Sequence, residues 1–178
     1  MYYTSKIFSK IGVQKLLLLS VWFLFCNSCT VKYSTTGASI SPDLKTVSVA
    51  YFPNRSENVQ PQFSQQLTEK LREKIRQNTN LVLISDGGDA QFEGEITGFS
   101  QQPTAIQGNE TAAKNRFTVS IKVKFINTID PKQSFDASFS RFKDYSSEKT
   151  FEQGTSEFTE VIIDELTEDI FNKAFVNW

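Results

Sequence analysis

The spacing of apolar residues changes along the chain, and each change predicts a different element. Residues 46–52 alternate apolar with small side chains, which predicts a half-buried strand. Residues 62–78 carry an apolar side chain at every fourth position among Gln, Glu, Lys and Arg, which predicts a helix with one buried face. The apolar run 81–84 has the length of a short strand. The folded part of the chain therefore begins with a strand, a helix and a second strand.

The next segment, residues 91–100, alternates like a strand but changes phase within its length. Gly94 and Gly98 lie inside it, which indicates a bulge or the close approach of another backbone. Residues 86–89, Asp-Gly-Gly-Asp, precede it and predict a turn. Residues 101–114 follow it with little pattern, and we expect a long loop there.

A hairpin is predicted by the clearest alternation in the chain. Residues 115–128 and 133–145 place Phe, Val, Ile or Ala on one face and mostly polar residues on the other, with Asp130-Pro131 between them. A slip by one residue would turn both apolar faces into water, so one register is favoured. That register places Phe125 opposite Phe135, Lys124 opposite Asp136 and Arg116 opposite Asp144.

The last element returns to a helical period over residues 156–174, with Thr155 or Ser156 as its cap. We expect its apolar side to be buried and its acidic side to be solvated. The apolar side comprises Ile162, Ile163, Leu166, Ile170 and Ala174, and the acidic side comprises Glu157, Glu160, Asp164 and Glu168. Phe171, Phe175 and Trp178 extend the apolar surface, either as core or as a surface for a partner.

These elements together predict an α+β fold. Strands with a single apolar face need helices on that face alone. We therefore expect a two-layer sandwich, with two helices packed on one face of a four- to five-stranded mixed sheet. A parallel pair is expected only where the first helix makes a crossover.

The first thirty residues have the features of an export signal. Lys6, Lys10 and Lys15 precede the apolar run 16–25, and no acidic residue lies among them. A transmembrane helix needs about 20 apolar residues, so a run this short preceded by lysines predicts a secretory signal peptide.

Two cysteines follow the apolar run, and only one has the surroundings of a lipidation site. Bacterial lipoproteins are cleaved before a Cys that follows a small residue; Cys29 follows Ser28, whereas Cys26 follows Phe25. We therefore predict a signal peptide over 1–28, a lipidated Cys29 with a tether to residue 45, and one folded domain over 46–178. The alternative is a secreted protein with a disulfide or a free thiol.

Composition restricts the classes of function that remain. The chain has 178 residues, of which 39% are apolar and 22% charged, as in a soluble globular domain. It contains no histidine, which excludes Ser-His-Asp and Cys-His catalysis and the HExxH zinc site. The formal net charge of −1 argues against binding to nucleic acid. We predict neither an enzyme nor a cofactor nor a metal site.

Three groups of polar residues are candidates for a catalytic, metal-binding or lipid-binding site. Glu93 and Glu95 have the spacing of a carboxylate pair, but alternation predicts that they line a solvated face. The Asp86–Asp89 turn could bind Ca²⁺, although its spacing is not that of an EF-hand. Five cations of the hairpin are candidates to meet lipid phosphates, or else to pair with acids on a solvated face. These are Arg116, Lys122, Lys124, Arg141 and Lys143.

Several stretches of the chain resemble the LptE family of outer-membrane lipoproteins, in its Bacteroidota-type branch. The similarity extends over nearly the whole chain after Cys29, and its stretches are not catalytic motifs. They are Gly37–Ile40, Thr46–Arg55, Gly108–Ala113, Arg116–Asn127 with Asp130-Pro131, and Glu168–Trp178.

The resemblance implies a fold of two helices on a four-stranded sheet and a non-catalytic function. Members of the family are anchored by an N-terminal lipid in the inner leaflet of the outer membrane and face the periplasm. They plug the LptD β-barrel, help it to assemble, and bind lipopolysaccharide during its delivery to the cell surface. Of the family's functional residues, only the lipid attachment site transfers to this chain, as Cys29. The alternative function is an outer-membrane lipoprotein that regulates a cell-wall synthase.

Overall fold

The architecture consists of two helices and a single five-stranded sheet. A computed structural model of the chain describes residues 40–57, 61–104, 114–148 and 151–176. The predicted signal peptide, Cys29 and Trp178 lie outside the described residues. The elements in chain order are β1 (Thr46–Val49), α1 (Pro61–Asn78), β2 (Val82–Ile84), β3 (Ala90–Thr104), β4 (Lys114–Asn127), β5 (Phe135–Ser146) and α2 (Phe151–Phe175).

The strands lie side by side in the order β2-β1-β3-β4-β5. β1 runs parallel to both of its neighbours. β4 runs antiparallel to both of its own neighbours, β3 and β5. The parallel pair expected at the α1 crossover is β1 with β2. A second parallel pair, β1 with β3, exists because the turn after β2 brings the chain back to the same end of the sheet. Gly87 and Gly88 have φ values of 70° and 97°, which residues with a side chain rarely adopt, and they make this reversal. The fold class is confirmed.

The predicted hairpin register is also confirmed. Phe125 pairs with Phe135, Lys124 with Asp136, and Arg116 with Asp144. The alternating apolar residues of β4 from Phe117 to Phe125 are buried, and the polar residues between them lie on the opposite face. Alternation alone was sufficient here because the apolar face of β4 is buried and that of β5 is half-buried.

Both expected features of β3 are present. Its register against β4 shifts between Ile96 and Gly98, so Thr97 is the extra residue of a bulge. The extra residue returns Phe99 to the face of the strand that carries Phe92 and Ile96, and all three side chains are therefore buried. The bulge explains the change of phase in the sequence.

The loop expected over 101–114 is shorter than predicted. β3 continues to Thr104, and β4 begins at Lys114. Gln101, Gln102 and Pro103 are exposed, so their side chains follow no apolar pattern although their backbone pairs with β4.

The second helix also begins earlier than predicted. α2 starts at Phe151, so Thr155 and Ser156 lie within it and do not cap it. Gly154 is a weak helix former, and it made the first turn unrecognisable from the sequence.

The core is rich in phenylalanine and lies between the sheet and the two helices. Phe92 of β3 is 4.7 Å from Phe125 of β4 and 5.9 Å from Phe175 of α2, measured between ring centroids. Phe171 and Phe175 are 3% and 2% exposed, so they belong to the core and not to a surface for a partner. α1 buries its predicted stripe of Phe63, Leu67, Leu71 and Ile75.

Two hydrogen bonds attach α1 to the segment that leaves β1. The Phe52 amide donates to Thr68 Oγ1 at 3.2 Å, and Arg72 donates to the Val49 carbonyl at 2.7 Å. Buried backbone groups require such partners. α1 is therefore fixed to the sheet by directed contacts as well as by its apolar stripe.

Gly94→Ala should destabilise the domain, whereas Gly98→Ala should not. A Cβ atom at Gly94 would lie 2.4 Å from a ring carbon of Phe52 and 2.6 Å from the Lys122 carbonyl oxygen. The nearest atom at Gly98 is 3.9 Å away, on Ser120. We expect urea unfolding to show a loss of about 1–3 kcal/mol at position 94 and a change within about 0.5 kcal/mol at position 98. Equal losses would contradict this account.

Candidate functional site

The candidate site is the face of β3, β4 and β5 that points away from the helices, here called the open face. Its charged side chains are at the two ends, and small hydroxyl side chains lie between them. Glu93, Lys124 and Asp136 form a row at one end, and Arg116 and Asp144 lie opposite each other at the other end.

Two lysines of β4 form ion pairs at the first end of the open face. Lys122 Nζ is 3.2 Å from Asp136 Oδ2, and Lys124 Nζ is 3.6 Å from Glu93 Oε2. Asp136, which faces Lys124 in the register, pairs instead with Lys122 along a diagonal. The side chains of both lysines are about half-exposed, at 51% and 55%. The Glu93 and Glu95 pair lies on this same face, and each acid has a cation near it, Glu95 being 4.0 Å from Arg55.

Arg116 is the most constrained cation of the open face. Its guanidinium donates to both carboxylate oxygens of Asp144, at 2.7 and 2.9 Å. The same group lies over the ring of Phe142, 3.8 Å from the centroid. Hydrogen bonds from Arg116 lower the pKa of the Asp144 carboxyl below its ordinary value. Phe142 remains 48% exposed, and sequence reasoning did not single it out.

The middle of the open face is uncharged. Ser120 and Ser140 face each other, and their hydroxyl oxygens are 3.1 Å apart. Ser100, Thr118 and Ser138 belong to the adjoining rows. These short side chains and the exposed ring of Phe142, which pairs with Thr118, form the surface between the two charged ends.

Arg141 and Lys143 lie on the other face of the sheet. Arg141 donates to Asp169 of α2 at 2.6 Å, and Lys143 donates to Glu165 of α2 at 2.5 Å. Arg141 and Lys143 lie on the same face of β5 as Phe135 and Phe139, because all four positions are separated by even numbers of residues. This alternation is the sequence signal that distinguishes them from the other three candidate cations. The five candidates are thus divided between two faces.

The opposite side of α2 makes a second row of ion pairs. Lys70 of α1 is 2.8 Å from Asp164, and Lys74 of α1 contacts Glu168. The hydrogen bond with Asp164 raises the pKa of Lys70, and the one from Lys74 lowers the pKa of Glu168. Asp164 and Glu168 are exposed, as predicted, and they also pair with lysines that α1 presents at the same spacing of four residues.

A cleft of about 650 Å³ lies between α1 and α2. Phe63 and Ile163 provide its apolar lining, and Lys70 is its one lysine or arginine. Its acidic residues are Glu69, Glu73, Glu160 and Asp164. This excess of carboxylates repels phosphate groups, so the cleft does not suit an anionic lipid.

Asp89, in the turn considered as a calcium site, has a structural partner instead. Its carboxylate accepts hydrogen bonds from the amides of Lys45 and Thr46 and from the Thr46 hydroxyl, each at 2.9 Å. These donors lower its pKa, the backbone bond from Lys45 contributing most. Sequence reasoning missed this role, which depends on two segments 43 residues apart.

The described ranges contain neither a metal-binding cluster nor a membrane-spanning helix. No group of three or more His, Cys, Asp or Glu side chains there has the arrangement of a metal site. Among those residues, no helix is long and apolar enough to cross a membrane.

The fold and the open face define a two-layer α+β domain with a polar, ion-paired sheet surface. Residues 44–175 match the family described as LptE, lipopolysaccharide-assembly. The chain belongs to this family, which is non-enzymatic and acts in lipopolysaccharide assembly at the outer membrane. A comparison with curated proteins finds no match.

Solved structures of similar fold include two lipoproteins. A minor lipoprotein from Acinetobacter baumannii is 14% identical, with a TM-score of 0.48 over 73% of this chain and 91% of that one. The rare lipoprotein B from Shewanella oneidensis is 13% identical, with a TM-score of 0.44 over 72% of this chain and 90% of that one.

Asp89→Asn should change how stability depends on pH. Because the folded chain holds the pKa of Asp89 below 3.8, the unfolded chain takes up this proton first as the pH falls. The stabilisation is therefore complete above about pH 5 and is lost as the pH drops through the lower folded value. We expect urea unfolding to show a lower free energy of unfolding for Asp89→Asn than for the parent chain at neutral pH, with a difference that narrows as the pH falls below about 5.

The matched control for this experiment is Asp43→Asn. Asp43 is exposed on the same segment, and no described group donates a hydrogen bond to its side chain. A deficit in Asp89→Asn that stays constant with pH would contradict the ionic role of Asp89.

Proposed function

We propose that this chain is lipid-anchored through Cys29 and occupies the lumen of an LptD-type β-barrel, which it helps to assemble. In this proposal it also contacts lipopolysaccharide during delivery to the cell surface, from the periplasmic side of the outer membrane. Membership of the LptE family supports the setting. The polar open face is the observation that carries the assignment to a barrel.

The open face suits a polar barrel wall for two reasons. The interior of a transmembrane barrel is polar, so a domain inside it needs polar contact surfaces. The Lys122, Lys124 and Arg116 charges are each matched by a nearby carboxylate, so contact with the wall leaves no unpaired charge. The hydroxyl groups between them can donate or accept hydrogen bonds.

The same face provides cations for the phosphates of lipopolysaccharide. Exposed ion pairs are weak, contributing about 0–1 kcal/mol, so a phosphate group can compete for Lys122 and Lys124. Arg116 is a poorer competitor because Asp144 already occupies both arms of its guanidinium. Arg141 and Lys143 bind α2 on the other face. We therefore propose Lys122 and Lys124 as the main phosphate contacts, with Arg116 secondary.

The barrel assignment is tested by purification of a C-terminally tagged copy from detergent-solubilised outer membranes. We expect a large β-barrel at one-to-one stoichiometry. Ser138→Arg places a long charged side chain on the open face and should remove most of the recovered barrel. Gln65→Arg makes the same change of charge on the exposed side of α1 and should retain it.

Three outcomes would overturn the barrel assignment or its placement. Recovery of the tagged chain alone would exclude a stable barrel complex. Recovery of a cell-wall synthase would support the regulatory alternative. Loss of the barrel in Gln65→Arg but not in Ser138→Arg would assign the contact to the helix side.

Loss of the open-face lysines should weaken binding to lipopolysaccharide. Each lysine near an anionic surface contributes about 1 kcal/mol, so Lys122→Gln with Lys124→Gln should weaken binding at least about tenfold in a titration. Arg141→Gln with Lys143→Gln removes the same charge from the other face and is the matched control. Equal weakening in both double variants would contradict the choice of face. Circular dichroism of both variants checks that they remain folded.

A further inference from the structure

One end of the domain gathers features that the open face does not explain. β1, β2 and β3 begin at this end, where Thr46 pairs with Val82 and Val47 with Ala90. β4 ends and β5 begins there, joined by the turn at Pro131–Gln133. Both helices end there too, since they run opposite to β1. We call it the entry end, because the chain enters the folded domain here.

The cations of the entry end lack carboxylate partners. Four exposed side chains, contributed by four different segments, carry these charges, and none forms an ion pair within the described ranges. Lys173 instead lies over the ring of Phe135, 5.2 Å from its centroid. The five candidate cations of β4 and β5, by contrast, have acidic partners. The four unpaired cations are Lys45, Arg76, Lys132 and Lys173.

Hydrogen bonds show that these segments are neighbours. The Asp89 carboxylate accepts a hydrogen bond from the Lys45 amide at 2.9 Å, and the Asp89 backbone carbonyl accepts one from the Thr128 amide at 2.8 Å. Ile129 follows Thr128 directly, and Lys132 lies three residues beyond it. The Val82 amide donates to the Lys45 carbonyl at 2.9 Å, which brings in the chain that leaves α1.

Three acidic residues of this end accept hydrogen bonds from nearby backbone amides, and Asp86 among them remains exposed. Asp89 accepts hydrogen bonds from Lys45 and Thr46. Asp130 accepts the Lys132 amide at 3.2 Å, and Asp86 accepts the Gly87 amide at 2.9 Å. Asp43 is the remaining exposed acid. The formal charges of the four cations and these four acids balance, but three of the acids are engaged by hydrogen bonds, whereas none of the cations forms an ion pair within the described ranges.

Two large apolar side chains are exposed beside the cations. Val82 is 60% exposed and Ile129 is 45% exposed. Apolar side chains next to lysines form the combination that binds the headgroup region of a bilayer.

We propose that the entry end rests on a phospholipid surface containing anionic lipids while the protein is held in the membrane by its anchor and is not yet enclosed by a barrel. This inference rests on the lipid anchor at Cys29 in the proposed function. Sixteen residues lie between Cys29 and Thr46, a reach of roughly 55 Å when extended. The end from which this tether emerges is the part of the domain closest to the leaflet. Its cations meet lipid phosphates, and Ile129 and Val82 lie among the headgroups.

The test uses the mature lipoprotein reconstituted in vesicles of phosphatidylethanolamine and phosphatidylglycerol. A polarity-sensitive fluorophore is attached through Ile129→Cys, and through Tyr51→Cys as the matched control. Tyr51 is 55% exposed and follows the other end of β1. We expect blue-shifted emission and quenching by spin-labelled lipid at position 129 and neither effect at position 51.

Charge variants test the role of the cations. Each lysine near an anionic surface strengthens contact roughly five-fold, so Lys45→Glu with Lys132→Glu should lower the ratio of docked to undocked protein at least about 25-fold. Gln62→Glu with Gln65→Glu adds negative charge on the exposed side of α1, away from both proposed lipid contacts, and should leave quenching at position 129 unchanged. Vesicles of phosphatidylcholine alone should quench position 129 less than the anionic vesicles do.

The outcomes separate this inference from the proposal on which it rests. A chain that stays with the vesicles but shows equal emission at positions 129 and 51 would overturn the inference and leave the anchor intact. A chain that is not recovered with the vesicles would overturn the anchor and the inference together. Equal loss of quenching in both double variants would exclude a specific role for the entry end.

Discussion

The fold depends on the fact that its sheet has one apolar face and only two helices to cover it. α1 is placed by the hydrogen bonds of Thr68 with the Phe52 amide and of Arg72 with the Val49 carbonyl, which leaves α2 to cover β4 and β5. Four acidic residues on successive turns of α2 then form ion pairs. Two pair with lysines of α1 on one side of the helix, and two pair with Arg141 and Lys143 of β5 on its other side. Exposed pairs add little stability individually. Their arrangement on two sides instead fixes the rotation of α2 about its own axis.

This use of charge leaves the two faces of the sheet with different functions. The cations that orient α2 are committed to the fold, whereas Lys122 and Lys124 have only exposed partners that a ligand can displace. The polar face needs no helix, since its side chains are satisfied by one another and by water. A domain built in this way presents a broad hydrophilic surface without exposing its core.

The sequence was informative wherever burial imposes a period. Phe125 and Phe135 identified the hairpin register because only one pairing buries both faces. The early start of α2 and the full length of β3 could not be predicted, since Gly154 and the exposed Gln101 follow no apolar pattern. The partner of Lys124 was not predictable either, because direct and diagonal carboxylates are both within reach of a long side chain. Arg141 and Lys143 could have been separated from the other cations by their phase with Phe139.

The position of β1 determines how the domain bears a load applied to the chain that precedes it. β1 lies between two parallel strands, and Asp89 fixes its first residues to the start of β3. A pull along the chain before Lys45 is therefore directed along the strand and is shared by hydrogen bonds on both sides at once. Bonds loaded together in shear resist far more force than bonds opened one by one. The domain can thus be held by its N-terminal chain while its sheet stays intact.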